Sequence, residues 1–571
     1  MYLNYISDTG TLSGQGPRYN VVPVYVDSTT TLVGAGIPGE VVRNSSGKNV
    51  LVLLAASAVF LAWRPLGVES PSQVPSAATY DEPYRPQFHF TPAKNWMNDP
   101  NGLVYYKGEY HLFYQYNPLG DEWGHMSWGH AVSRDLVHWR HLPVALREEN
   151  GIMIFSGSAV VDRQNSSGFC ATTGPDDRSC LVAIYTGHTS TRQTQNLAYS
   201  NDNGRTWTRY AANPVIDLHR RDFRDPKVFW HEASRKWVMV AALPPEHQVR
   251  LFGSPDLRHW TALSTFGPAG ATGGVWECPD IFPLPVGGEP GQARWVLSVN
   301  VNPGGVAGGS ADQYFVGQFD GTTFVNENPA GQVLWADYGK DFYASTSFSD
   351  LPPADGRRIW MGWLDNWEYA AQVPTSSWRG AQSIPRVLKL KRYREGLRLV
   401  QEPVRELQAL RGRETILKDQ GTGAANRWLE SSEVRGDTLE IEAEIDPGHC
   451  AEFGLEVRKG KGEETVIGIN RRKSELFVDR THSGTTAFNP EFPGRHVAPL
   501  DLTGGKNVKL HVFVDRSSVE VFANDGATVI SDRIFPSRES QGLVFYSRDG
   551  EARIVELRIW SLRSAWRDPE Q

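Results

Sequence analysis

One phrase recurs along the first half of the chain. "SRDLVHW" runs from Ser133 to Trp139 and "SPDLRHW" from Ser254 to Trp260, while "SNDNGRTW", Ser200 to Trp207, is one residue longer. A looser copy, "GQFDGTTF", runs from Gly317 to Phe324. Each reads as a strand, a tight Asp/Gly turn, and a second strand opened by an aromatic residue. Copies spaced by roughly 50–70 residues leave room for a four-stranded sheet with variable loops, the unit of a propeller blade. A tandem of β-sandwiches is the structural alternative. From Tyr84 to Arg392 the chain is short alternating runs broken by Gly, Asn, Asp and Pro, with no long helical period. A propeller matters for function because loops from its inner strands ring one end of a central tunnel. Acids far apart in sequence can meet there.

A charged stretch over residues 393–413 ("LKLKRYREGLRL" runs into it, "QEPVRELQALRGR" lies within it) reads as a connector. Over 414–571 the alternation resumes in "TLEIEAEID", "KLHVFVDRSSVEVFAND" and "RIVELRIWSL", which predicts a second domain, a β-sandwich, structural or substrate-binding rather than catalytic. Two domains suit a chain of 571 residues, too long for one ordinary core. Its 19 Trp, 20 Tyr, 24 Phe and 55 Gly fit an all-β protein, and also one that handles sugars, whose apolar faces pack on rings. A net charge of −7 argues against a nucleic-acid partner, since phosphate binding wants a basic surface.

The N-terminal region reads differently. "NVLVLLAASAVFLAW", residues 49–63, is uncharged and mostly apolar, between Lys48 and Arg64. It is shorter than the roughly 20 residues that span a bilayer. Its length suits a signal-peptide core, but a 48-residue tail (1–48) precedes it. An internal signal anchor fits best, with Arg43 and Lys48 favouring a cytosolic tail; a buried core helix is the alternative. Residues 64–83 form a Pro/Ser/Ala linker, so folded structure is expected from Tyr84, on the far side of a membrane. That gives a secretory-pathway address: extracellular, cell-surface or vacuolar. The "NSS" at Asn165 would be a glycosylation acceptor there, and the one at Asn44 would face the wrong side. Cys170 and Cys180 bracket a loop short enough for a local disulfide, while Cys278 and Cys450 read as lone buried thiols. "GAGIPG" (Gly34 to Gly39) matches a dinucleotide fingerprint, but Pro38 and the residues after it supply no helix, so no cofactor is read from it.

Three carboxylates keep unusual company. Asp99 lies in "NWMNDPNG", a turn by composition; Asp225 lies in "FRDPKVF"; Glu277 lies in "VWECPDIF". Proline follows the first two directly and the third after one residue, stiffening the backbone near each acid. Each alone is a turn former or an ion-pair member; three in one propeller point to the paired carboxylates of glycoside hydrolysis. Trp276 and Cys278 make Glu277 the candidate for a raised pKa, with Asp99 and Asp225 expected to stay ionised.

"WMNDPNG", "FRDP" and "WECPD", in this order, resemble the three signatures of glycoside hydrolase family 32, the β-fructofuranosidases. "FSGSA" from Phe155, "DFYASTSF" from Asp341, "GWLDNWEYA" from Gly362 and "VFVDRSSVEVFAND" fit the same family, and the resemblance covers Tyr84 to Leu562. It implies a five-bladed propeller over 84–392 followed by the sandwich. It also implies that Asp99 is the nucleophile, Glu277 the general acid and base, and Asp225 a transition-state stabiliser. Configuration would be retained through a covalent fructosyl-enzyme, as for carboxylates about 5–5.5 Å apart. Asn98, Gln115, Trp123, Phe155, Ser156, Arg224 and Trp367 fall where the family lines its fructose pocket; core packing is the alternative for the aromatic ones. No metal cluster and no cofactor are expected. Pro279 and "NVNPGGVAGGSADQYFVGQFDG" resemble the exo-fructanase and levanase branch, so the expected substrates are fructans and sucrose, with a sucrose-restricted invertase or a fructosyltransferase as alternatives.

Overall fold

The computed structural model describes residues 79–171, 178–329, 331–503 and 507–567. The tail, the 49–63 segment, the linker up to residue 78, the 34–39 glycines and Asn44 lie outside the described residues. Among the described residues no helix is long and apolar enough to cross a membrane.

Among the described residues the chain is all-β apart from a ten-residue helix, Thr422–Ser431, and three short 3-10 turns. Four-stranded antiparallel groups follow one another, and we label the first strand of each: β1 (Asn95–Tyr106), β2 (Met153–Asp162), β3 (Arg224–His231), β4 (Val275–Val286) and β5 (Tyr343–Ser347). Each of these strands lies against the next, and β5 lies against β1, so they close a ring. The β4 and β5 groups share one sheet through a single parallel pair, Val286 with Leu390. Trp378–Arg379, late in the ring, adds to the β1 edge in parallel. This is a propeller-like domain, with its cores wedged between neighbouring groups.

The repeated phrase has one physical explanation. It forms the turn between the third and fourth strands of its group. Asp135 Oδ1 accepts the backbone N–H groups of Val137 and His138, Asp256 those of Arg258 and His259, Asp202 that of Thr206, and Asp320 those of Thr322 and Thr323. A carboxylate taking N–H groups two to four residues ahead replaces a backbone turn. Trp139, Trp260 and Trp207 then donate their indole N–H to the carbonyl three residues back, on Leu136, Leu257 and Gly204. All three of those residues are left-handed, with φ of 67°, 65° and 77°. The longer copy keeps this geometry by placing glycine at the left-handed position.

Strand Gly396–Pro403 pairs along the whole of Arg386–Tyr393, and a short 3-10 turn, Arg405–Leu410, leads onward. Two antiparallel sheets of six and five strands follow. Alternation in "LEIEAEID" turns Leu439, Ile441, Ala443 and Ile445 into a core shared with Leu455, Ile467 and Phe545 of the facing sheet. This is the expected β-sandwich.

The sandwich is not loosely tethered. Phe513 and Phe522 on its outer face pack with Phe88, Phe348 and Ile384 of the propeller-like domain. Between them lie buried charges that pair across the seam, Arg386 with Glu520 and Arg480 with Asp341, while Arg386 also holds Asp337 on its own side. Fully buried His89 bridges Asp515 and Glu520, each at 2.8 Å. Cys170 and Cys180 form a disulfide.

Candidate active site

The strands of the ring share an irregularity near their starts. Pairing register slips between Met97 and Pro100 on β1, Phe155 and Gly157 on β2, Arg224 and Lys227 on β3, Glu277 and Asp280 on β4, and Tyr343 and Thr346 on β5. Asp99, Ser156, Asp225, Cys278 and Ala344 sit inside these slips. Bulges of this kind bend a strand and re-aim a side chain. The three prolines of the signatures, Pro100, Pro226 and Pro279, occupy or border the interruptions, where a missing N–H costs no ladder bond. The expected reversal at "NWMNDPNG" is therefore corrected: it is a bulged stretch inside one twelve-residue strand. Asp225, Cys278 and Ala344 have φ of 63°, 45° and 53°, conformations that residues with side chains hold only under surrounding constraint.

The bulges bring the acids together. Asp99 Oδ2 accepts a hydrogen bond from Ser156 Oγ at 2.6 Å, and Asn98 Nδ2 donates to Oδ1 at 3.0 Å. The Cys278 thiol lies 3.6 Å from Asp99 Oδ2 and 3.7 Å from Asp225 Oδ2, and its N–H donates to Asp225 Oδ2 at 2.9 Å. Cys278 thus links the two aspartates while standing next to Glu277 in sequence. It is half-buried, not the isolated buried thiol expected. Glu277 Oε1 receives Arg224 Nε at 3.0 Å and Nη2 at 2.8 Å, and Glu277 Oε2 accepts the Tyr343 hydroxyl. Arg224 is held from behind by Asp222 at 3.0 Å, and buried Gln193 accepts the Phe223 N–H at 2.8 Å beside it.

The other sequence-picked residues surround this cluster. Asn98 takes the Trp96 indole N–H at 2.7 Å, which fixes the amide that serves Asp99. Buried Gln115 donates to Asn101 and to the Ile154 carbonyl, one residue before Phe155. Phe155 stacks on His188 with centroids 4.1 Å apart, and Trp123, 40% exposed, meets Phe155 edge-on. Trp367 stacks on Trp96 and packs in one cluster with Phe155, Tyr343 and Cys278. Sequence reasoning missed Tyr343, His188, Gln193 and Asp222. Tyr343 stood inside the quoted "DFYASTSF", but a tyrosine in an alternating run reads as core.

Electrostatics overturn one expectation. Burial pushes the Asp99 carboxyl up, against the pull of its bonds to Ser156 and Asn98. Burial pushes Asp225 up to about 7, opposed by Arg224 and reinforced by Glu277 and Asp99. Neither aspartate keeps the ordinary carboxylate range expected of it. Burial works against the Arg224 charge, yet Glu277 and Asp225 outweigh it and hold the guanidinium above its ordinary value. Burial lowers His188 to about 4, so its ring is neutral and serves as an apolar wall. The expected apolar cage around Glu277 is also corrected. Neighbouring strand residues face opposite ways, so Trp276 points into the core against Phe266 and Phe315 while Glu277 meets Arg224. The result is a half-enclosed pocket of three acidic groups served by one guanidinium, the makings of paired carboxylate chemistry.

Known proteins agree in sequence and shape. The levanase of Bacillus subtilis (strain 168) is 55% identical over 492 residues, 85% of this chain and 72% of that protein. The extracellular exo-inulinase of Aspergillus awamori is 40% identical over 530 residues, 86% of this chain and 96% of that one. The crystal structure of an exo-inulinase from Aspergillus awamori superposes with a TM-score of 0.78 at 39% identity, covering 85% of this chain and all of that one. The β-fructofuranosidase from Schwanniomyces occidentalis, solved with fructosyl-erythritol, follows at 0.76 and 32%, covering 85% and 98%. Residues 89–403 match the N-terminal domain of glycosyl hydrolases family 32 and residues 406–561 match its C-terminal domain. With both domains matched in order and the acids gathered at the bulged strand starts, this chain belongs to glycoside hydrolase family 32.

Proposed function

We propose that this protein is a retaining exo-β-fructosidase that removes terminal non-reducing β-D-fructofuranosyl residues from fructans of the inulin and levan types, and from sucrose. The observation that carries the reading is the joining of Asp99 and Asp225 through Cys278, beside a Glu277 clamped by Arg224. Relatives named levanase and exo-inulinase support the substrate class.

In this reading Asp99 attacks the anomeric carbon of the terminal fructose, and Ser156 and Asn98 hold its oxygens for that attack. Glu277 gives its proton to the departing glycosidic oxygen. Arg224 then faces the new carboxylate and stabilises the charge gained. Glu277 enters the cycle as the acid, and the second step returns its proton. Glu277 next takes a proton from water, which releases fructose from Asp99 with the original configuration. Asp225 accepts hydroxyl hydrogens of the sugar as positive charge grows on its ring. Gln115, Trp123, Phe155 and Trp367 line the pocket.

We also read the ring of first strands as a five-bladed propeller from residue 84; because Gly396–Pro403 pairs within its last group and Arg411 already pairs with Leu562, we end it at 403 and start the sandwich at 411, in place of the expected 84–392, 393–413 and 414–571. The address is extracellular, in keeping with relatives named extracellular; the reading of 49–63 as a signal anchor is part of this proposal and is tested by membrane fractionation of the expressed full chain.

Initial rates on sucrose, inulin and levan, with chromatography of the products, test the function. Free fructose as the first product from all three is expected. Release from sucrose alone would make the protein an invertase. Oligosaccharides that grow with sucrose concentration would make it a fructosyltransferase, and no fructose from any of the three would leave only a sugar-binding relative.

A further inference from the structure

The ring has a second end. Beyond the acids, along the same strands, lies a cavity of 850 Å³ that none of Asp99, Asp225 and Glu277 lines. Lys227, two residues past Asp225, and Asp280, three past Glu277, form its floor. Lys227 Nζ reaches Asp280 Oδ2 at 3.2 Å and Thr346 Oγ1 at 3.1 Å, so it ties β3, β4 and β5 together between the two ends. The mouth is framed by exposed Arg163, Gln164, Ala233 and Asp320.

Two features distinguish this cavity from a gap in packing. Asp280 and Ser347 are fully buried and line it, yet Asp280 Oδ1 and Ser347 Oγ have no hydrogen-bond partner among the described residues, nor has Arg358 Nε beside them. Polar atoms buried without partners are costly, and each one wants an explanation. The walls are aromatic, from Phe229, Trp230 and Trp295. Charges of both signs line it, with Lys227 paired to Asp280 and Arg163 to Asp350, so the cavity is not built for an ion of one sign.

We infer that this far cavity is a second saccharide-binding site, taking a neutral mono- or short oligosaccharide. A carboxylate oxygen can only accept, a guanidinium N–H can only donate, and a serine hydroxyl does both. All three atoms are closed off from solvent as they stand, so the hydroxyls of one sugar satisfy them once the Asp280, Ser347 and Arg358 side chains turn towards the cavity, and aromatic walls suit the apolar faces of its ring. The volume falls within the roughly 300–1,000 Å³ of small-molecule sites. Water can answer the same polar atoms but makes no use of the aromatic walls.

The test counts sugars on the full chain carrying Glu277→Gln, so that nothing is turned over. Fructose, sucrose and maltose are titrated by calorimetry. Two molecules per chain are expected for at least one of them, with maltose reporting whether the far site needs fructose. Ala233→Trp, placed at the exposed mouth, should remove one of the two, as should Ser347→Ala through a tenfold or greater loss of affinity. In the chain with Glu277 intact, Ala233→Trp should leave the rate of fructose release unchanged, which also verifies its fold. A count of one for every sugar, or a count that neither variant alters, means a water-filled cavity and overturns the proposal. The count is independent of whether the unaltered chain releases fructose, so it stands or falls separately from the hydrolase reading.

Discussion

Arg224 is the only cation in hydrogen-bond contact with the three acids among the described residues, and its own partners set what it can do. Asp222 holds it from one side and Glu277 receives two of its N–H groups. On the roles proposed for Asp99 and Glu277, removing either carboxyl should therefore stop the chemistry and spare the pocket. Glu277→Gln and Asp99→Ala are each expected to cut fructose release by roughly four orders of magnitude or more, the scale seen when members of a catalytic unit are removed. Saccharide binding by Glu277→Gln should survive within about tenfold by calorimetry. Turnover near the unaltered level in either variant would falsify the roles given to these acids. The acids were legible in the sequence because Asp-Pro and Glu-Cys-Pro are poor ways to build an ordinary strand. Their electrostatics were not legible. Whether Trp276 shields Glu277 depends on which face each residue takes, and whether Asp99 and Asp225 ionise freely depends on burial among each other, which only the closed ring creates.

At the scale of the element, the bulge does what the turn was expected to do. Asn, Pro and Gly interrupt a ladder as readily as they reverse a chain, so "NWMNDPNG" carried the right residues for the wrong shape. Gly102 shows how tightly the interrupted strand is packed. Its φ is 52°, and a Cβ there would sit 2.7 Å from Phe113 Cδ2 and 3.1 Å from Trp128 Cζ3. Gly102→Ala is expected to destabilise the fold by about 1–3 kcal/mol in urea unfolding. By pushing β1 it should also displace Asp99 three residues away and lower kcat by up to about a hundredfold, the cost of an ångström-scale misplacement. A variant with unchanged melting and unchanged kcat would show that the bulge tolerates the methyl and that its shape is not what aims the acid. The repeated Asp turns, by contrast, were readable at once, because an Asp that takes N–H groups a few residues ahead is a local device needing no distant partner.

The seam between the domains is a property of the whole molecule that no window of sequence displays. His89 stands far from Asp515 and Glu520 in the chain but bonds to both. Burial opposes its charge, yet the two carboxylates outweigh burial and raise it to about 9, while they are themselves held below their ordinary values. The raised histidine stabilises the fold fully below its unfolded pKa of about 6.5, and that contribution fades as pH climbs through 9. For a shift of this size it is of order 3 kcal/mol, counted once for the triad. The carboxylates contribute above the ordinary range of acids, and their share is lost as pH falls through it. Thermal melting should therefore drop between pH 7 and 10, and His89→Gln should be less stable at pH 6 but flatter across that alkaline range. An equally steep alkaline fall in the variant would place the titrating group elsewhere. Trp378–Arg379, a strand from late in the ring, pairs with Asn95 and Trp96 beside Asp99. The earliest and latest parts of the ring must meet before the acids can, and such distant pairings are the slow step of folding. On dilution from denaturant, fructose-releasing activity should return later than the β-sheet signal, so that catalysis itself becomes the clock for the final closure.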